Sequence, residues 1–335
     1  MALWNGSAIN TNETAMVFNQ LANMKAIAMV RNKHGFLYAV LGKQETGSTP
    51  GAGTGFQRLK KISGKKIEVK LLGKLASPGT VADGSAEVAT ETLTHTTDYW
   101  GAAEFDLAHY VYKHPVPHSE LMRFMGDEAK TASYLDEVFQ LVMLSYEKVW
   151  ATALSTAAAP SRTVLGGWNF AVDDDNTYGT IDRTDSTNAD FQGVVKASTG
   201  DLTLPKIHTE MDNVRVNGGR VSLGVAGATV YGKIRQLIQP YTQVTYDKDW
   251  TEFGGEHIRY AGVSFTLDPD CPTQTLGLLE PESWLLYMDK DTAFTSSGLV
   301  HDISRVSTHV LPTEFWMQLI CKSPNHNARM EGITS

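Results

Sequence analysis

The chain has 335 residues, 42% of them hydrophobic and 20% charged, enough apolar material for one large or two medium cores. Its formal net charge of -8 excludes a general phosphate-binding surface, because affinity for nucleic acid needs accumulated positive charge. There is no run of about 18 apolar residues and no basic-then-apolar leader, so no membrane-spanning helix or secretory signal is expected, and the chain reads as made and kept in a cytosol-like compartment.

In chain order, Asn12 caps a predicted helix in which Val17, Leu21, Met24 and Ala28 recur at spacings of three and four, one apolar stripe of an N-terminal arm. Residues 42–55, GKQETGSTPGAGTG, hold five glycines and a proline and predict a flexible linker. Next comes GFQRLKKISGKKIEVKLLGK, residues 55–74. Seven Lys/Arg against the single acid Glu68 give it +6, leaving -14 for the rest of the chain. Ile67, Val69 and Leu71 alternate with Lys66, Glu68 and Lys70, the pattern of a strand with one wet face. The run from Phe56 to Ile62 joins it through Ser63 and Gly64, which predicts a tight basic β-hairpin over 56–72. An isolated two-stranded ribbon is marginal in water, so this one needs a surface to lie on. At this point it could grip phosphate, be an ordinary solvated hairpin, or reach an acidic face on another chain.

Residues 76–98 are again rich in Gly, Ser and Thr, and YWGAAEFDLAHYVYKHPVPHSEL then restores strand character. Residues 127–154 form the longest periodic segment, with Ala132, Leu135, Phe139, Val142, Tyr146, Val149 and Ala153 on one face. As a helix it spans about 42 Å, the length of a domain. Beyond residue 160 the pattern is mixed α/β. Thr203 as N-cap, Pro205 in the first turn and Gly218 past the end frame a helix, RVSLGV reads as a buried strand and GATVYGKIRQLI as a second helix. HIRYAGVSFTLDPD reads as a strand pair about Ala261 and Gly262, with strands in TLGLL, SWLLYM and EFWMQLI following.

Motifs for chemistry are weak. His109, His114, His118 and Glu120 include ligand types, but the extended PVP between His114 and His118 spreads them about 13 Å apart. Asp174, Asn176, Gly179, Ile181 and Asp185 partly imitate a calcium loop, yet Tyr178 stands where an oxygen ligand belongs; an Asp/Asn/Gly-rich surface loop is the plainer reading. GAGTG lacks the flanking strand and helix of a dinucleotide site, and no phosphate-loop, nucleophile-elbow or zinc-protease motif is present. Cys271 and Cys321 fit no metal or redox spacing and read as buried small apolar residues. No catalytic residue, cofactor or metal ligand is assigned.

The collinear order of N-terminal arm, glycine-hinged basic hairpin, return strand, long helix, mixed α/β region and terminal strand resembles the major capsid (major head) proteins of tailed bacteriophages, which share the Hong Kong-ninety-seven-like fold. FQRLKKISGKKIEV resembles the family's extended loop, and YGTIDRTDSTNADFQGVVKAS, from Tyr178 to Ser198, the start of its axial domain. LTLPKIHTEMDNVRVNGG resembles the helix that follows, and RYAGVSFTLDPDCPTQTLGLLEPESWLLY a late strand and aspartate-rich turn. Thr180 departs from the pattern where many relatives place a second glycine.

The resemblance, over about residues 10–330, implies an α+β fold. Its parts would be an N-terminal arm (1–41), an extended loop (42–90), a peripheral domain (91–160 and 312–335) with a spine helix (127–154), and an axial domain (161–311). It implies a structural, non-enzymatic protein that self-assembles as hexamers and pentamers into an icosahedral phage head in the host bacterial cytoplasm. A portal protein, weakly held packaged DNA and a decoration protein are the implied partners. With about 40 residues before the hinge, a separately encoded scaffolding protein and no large maturation cleavage are expected. The loop's Phe56, Arg58, Lys60, Lys61, Lys65, Lys66, Ile67, Val69 and Lys70 would meet a neighbour, with Asp127, Glu128, Asp136 and Glu137 of the long helix as acidic acceptor. Its cations would set register, while burial of Phe56, Ile67, Val69 and Leu71 supplies most of the strength. An encapsulin-like compartment of the same fold, and a nucleic-acid-binding protein using the hairpin, are the alternatives.

Overall fold

The computed structural model describes residues 4–5, 8–9, 35–41, 59–64, 66–72, 100–123, 128–239, 257–289, 295–296, 300–301 and 308–334. In chain order the principal elements are α1 (Gly35–Leu41), β1 (Leu59–Ile62), β2 (Lys66–Leu72), β3 (Trp100–Asp106), β4 (Ala108–Pro117), α2 (His118–Arg123), α3 (Glu128–Ser155) and the single turn α4 (Trp168–Ala171). There follow β5 (Val194–Lys196), α5 (Leu204–Val216), β6 (Leu223–Ala226), α6 (Ala228–Ile238), β7 (His257–Tyr260), β8 (Val263–Leu267), β9 (Leu276–Leu279), β10 (Trp284–Asp289), β11 (Thr308–Cys321) and β12 (Ala328–Met330).

A six-stranded mixed sheet, order β7-β8-β6-β9-β12-β5, organises the α/β half. All four residues of β6 are buried, because β6 lies between parallel β8 and antiparallel β9 with both faces covered. One face packs Ala226, Leu276 and Leu278 against Ile207, Met211 and Val214 of α5 and Val230, Ile234 and Ile238 of α6. The other turns Leu223, Val225 and Leu279 toward Trp168, Trp284 and Phe36. Gly277 makes room there: a Cβ would lie 2.8 Å from the Trp168 ring. Helix α5 begins after Thr203, carries Pro205 in its first turn and ends where Gly218 takes φ +88°. Thr203 contributes its backbone, its carbonyl accepting from the Ile207 N–H, and its side chain makes no cap bond. Ala261 and Gly262, at φ +50° and +84°, close the β7–β8 turn.

The second sheet is built on β11, fourteen residues long. Along one edge β4 pairs from Ala108 to Pro117, and along the other β10 pairs at residues 317–321, followed by Thr295–Ser296 and Val300–His301. β4 accommodates Pro115 and Pro117 because, among the described residues, it pairs on one side alone, and a missing N–H is tolerated on the open side. Residues 311–316 alternate buried and half-buried, and from Met317 to Cys321 every residue is buried as β11 enters the body.

Helix α3 lies on this sheet. Its buried ridge is Val138, Val142, Tyr146, Trp150 and Leu154, at strict spacings of four, with Ala153 beside it. Tyr146 and Trp150 meet Phe315 edge-on at 4.6 and 5.3 Å between centroids, and the Tyr146 hydroxyl donates to the Thr313 carbonyl at 2.8 Å. The sequence reading placed Val149 on this face; it is 43% exposed instead. The large Trp150 ring one residue on takes the inward position, which fixes the helix rotation.

Other expectations are corrected by strand pairing. The run 59–62 and the strand 66–72 do not form a hairpin with each other. β1 joins the body in parallel with β10, Leu59 opposite Leu286, whereas β2 pairs antiparallel with β3. Ile67 and Val69 find Phe105 and Ala103 directly opposite, an apolar match that LKKI does not offer. Gly64, at φ +116°, redirects the chain between the two pairings. Residues 35–41, assigned to the arm, form α1, with Phe36, Leu37 and Val40 buried and Phe36 edge-on to Trp284 at 5.2 Å. Residues 328–330, assigned with the peripheral domain, are β12 in the α/β sheet, since Ala328 and Met330 complete the α5 and α6 core. The helix predicted after Asn12 and the linker 42–55 lie outside the described residues.

Candidate assembly surface

The β2–β3 ribbon is two-stranded and exposes one face. Ile67 and Val69 are 4% and 3% exposed against Phe105 and Ala103 in the chain's own core. This corrects the expectation that they bury against a neighbour. The wet face carries Lys66, Glu68 and Lys70 opposite Asp106, Glu104 and Ala102. Lys66 reaches diagonally to Glu104 at 3.0 Å, so this lysine has a partner within its own ribbon and offsets the like charges of Glu68 and Glu104. With both side chains more than half exposed, the pair contributes about 0 to 1 kcal/mol.

The ribbon's root is held by two residues that pattern reading did not single out for it. Gln318, fully buried on β11, donates from Nε2 to the Asp106 carbonyl at 2.9 Å and accepts the Gly166 N–H on Oε1 at 2.6 Å. Thr180 sits in the hairpin formed by Thr177–Tyr178 and Ile181–Asp182. Its hydroxyl donates to the Ala102 carbonyl at 3.3 Å and accepts the Glu104 N–H at 3.4 Å, pinning the open edge of β3. Gly179 packs closely beneath at φ +65°, where a Cβ would lie 2.9 Å from that of Ala103. The threonine that departs from the family pattern therefore has a contact to make. Its signal was the departure itself.

Of the remaining predicted loop residues, Lys60 and Lys61 lie in β1, on the edge of the body sheet, and not on a hinged arm. Lys60 is exposed, and its charge, after burial, is the second cause holding the Lys322 ammonium below its ordinary range. Phe56, Arg58 and Lys65 lie outside the described residues, as does Asp127 of the acidic set. Glu128 and Asp136 belong to α3, and Glu137 is exposed on it. Beside Glu137 a groove of about 470 Å³ runs between α3 and β4, lined by His114, Pro115, Pro117, Arg123, Tyr134 and Leu141 among others.

The histidines of β4 and the start of α2 go to separate neighbours. His109 stacks on Trp316 at 4.0 Å with its Nε2 3.2 Å from the Glu314 carboxylate, and His118 stacks on His309 at 5.4 Å. In the calcium-like stretch, the Asp173 carboxylate accepts from Arg329, Asn176 and the Asp174 N–H, so its oxygens are occupied. Arg183, fully buried, lies over the Tyr178 ring at 4.5 Å and donates to the Asp173 carbonyl. The loop thus serves to seat two arginines. Burial pushes the thiols of Cys271 and Cys321 up to about 12, which keeps both protonated and inert.

No protein-family model and no curated protein matches the sequence. Solved structures do. A chain of the cyanophage A-1(L) capsid superposes with a TM-score of 0.61 at 13% identity, covering 91% of this chain and 94% of that one. The chain has the Hong Kong-ninety-seven-like shell fold. A chain of the satellite phage P4 procapsid shares this shell fold at a TM-score of 0.52 and 10% identity, over 92% of this chain and 98% of that one. So does a chain of the SrpI encapsulin from Synechococcus elongatus, at 0.52 and 10%, over 82% and 85%.

Proposed function

We propose that the chain is the major shell subunit of a tailed-phage head, assembling as hexamers and pentamers into an icosahedral shell around double-stranded DNA. The match to the cyanophage capsid over nine-tenths of both chains carries this reading. The encapsulin match, lower in score and coverage, makes a cargo compartment the second outcome to test. The role is structural and not catalytic. In this reading α3 is the spine of a peripheral domain, the β6 sheet is the axial domain, and the β2 strand belongs to the extended loop that lies on the next subunit. Among the loop cations whose side chains are described, Lys70 and Lys60 would meet a neighbour's Glu128 and Asp136, while Lys66 pairs with Glu104 in its own ribbon. A scaffolding protein, a portal and a decoration protein are the partners this function calls for, and the virion is its location.

The test is electron microscopy of the expressed chain, alone and with the scaffolding and portal candidates encoded beside it. Shells that admit a portal and package DNA support the phage head. Shells that form alone around an enzyme cargo would move the chain to the encapsulins, and a small discrete oligomer under all conditions would overturn both.

A further inference from the structure

The exposed side of α3 carries Leu141 and Leu144, 47% and 46% exposed, in the middle of a stripe outside the Val138–Leu154 ridge, with Glu137 and Leu141 at the rim of the groove against β4. On either side of them stand Glu137 and Lys148, both exposed. The spacing is self-complementary. Two copies of this helix laid antiparallel about a two-fold axis through the midpoint of residues 142 and 143 would set each Leu141 against the other copy's Leu144. The same axis sets Glu137 against Lys148 and Gln140 against Ser145. Ser145 suits a dry contact, because its hydroxyl already donates to the Leu141 carbonyl of its own helix at 3.1 Å. Glu137 and Lys148 are about 16 Å apart along one helix, too far to pair within a copy.

We propose that this stripe is an isologous contact between two copies of the chain across a two-fold axis. The proposal rests on the shell reading, since an icosahedral shell supplies such axes between its capsomers. Charge complementarity selects a second copy over a different partner: the pattern that completes the stripe is the stripe reversed. The patch is about 16 Å long between its charged ends and about 10 Å wide, well short of the roughly 1,200 Å² that a stable free dimer buries. It therefore closes only where the shell holds the copies together, and the unassembled chain does not dimerise through it.

The test uses assembled shells of the full chain carrying Leu141→Cys with Leu144→Cys. The two native cysteines are buried and stay out of the chemistry. A short bis-maleimide should give covalent dimers and nothing larger, because a two-fold contact exhausts itself in one pair. Shells that assemble but give no dimer, or that give a ladder of higher species as a ring contact would, overturn the proposal. A wild-type chain that forms no shells overturns the shell reading instead. If the cysteine variant fails to assemble, charge reversal decides. Glu137→Lys and Lys148→Glu should each cut the assembled fraction several-fold, and the double variant should restore most of it. Absence of that rescue, or rescue of Glu137→Lys by Lys66→Glu with Lys70→Glu, gives Glu137 to the loop and overturns the two-fold contact.

Discussion

The sheet around β6 and the ground covered by α3, β4 and the β2–β3 ribbon follow opposite policies. Every residue of β6 and β9 is buried, and the helices α5 and α6 close one face while Trp168 and Trp284 close the other. That region satisfies itself. The long helix and the ribbon bury one face and leave the other with exposed leucines and lysines. The difference teaches where mutations should register: in the first region as loss of folding, in the second as loss of assembly by a subunit that still folds.

The sharpest way to break the comparison is Trp168→Ala. The side chain is fully buried over Gly277, and its removal should cost about 3 to 5 kcal/mol in a urea titration of the unassembled subunit. A loss under 1 kcal/mol would mean that the sheet does not depend on that face. Next comes Gly179→Ala, which forces a side chain into φ +65° against Ala103; roughly 1 to 2 kcal/mol of backbone cost should show as faster amide exchange in β3. Thr180→Val removes both bonds to β3 and should cost about 1 kcal/mol, with exchange rising at Glu104 and little change in the β6 sheet. Leu144→Ala should leave subunit stability within about 0.5 kcal/mol while lowering the yield of shells, and a large drop in stability would show that the leucine is held within its own chain.

The smallest effect concerns acid. The Asp201 carboxyl, 2.8 Å from the Lys233 ammonium, is held below its ordinary value chiefly by that bond and charge. A depressed carboxyl contributes its stability above the ordinary carboxylate range and loses it as pH falls through the lowered value. Carboxyl chemical shifts should titrate below the ordinary aspartate range, and Lys233→Met should move the titration up toward it.

Much of the α/β half was legible in the residues, because a helix with Pro205 and Gly218 at its ends and fully apolar runs such as TLGLL have few ways to fold. The basic segment was not. Its alternation announces β2 correctly, but the nearest run with strand character, LKKI, offers itself as the partner, and only the full fold brings Phe105 opposite Ile67 across 37 intervening residues. The long helix was readable in extent, while its rotation was set by Trp150, which a count at spacings of three and four passed over. Of the candidate interface, Glu137 was visible as a charge. Its relation to Lys148 emerged only once Leu141 and Leu144 proved to face away from the core.

The account stands or falls on what the expressed chain builds. Sedimentation velocity with electron microscopy of the purified protein, with and without a scaffolding partner, should find closed shells or their hexameric and pentameric capsomers, each a multiple of the 36.7 kDa subunit. A homogeneous monomer, or a small closed oligomer such as a dimer or tetramer that never goes further, would contradict it.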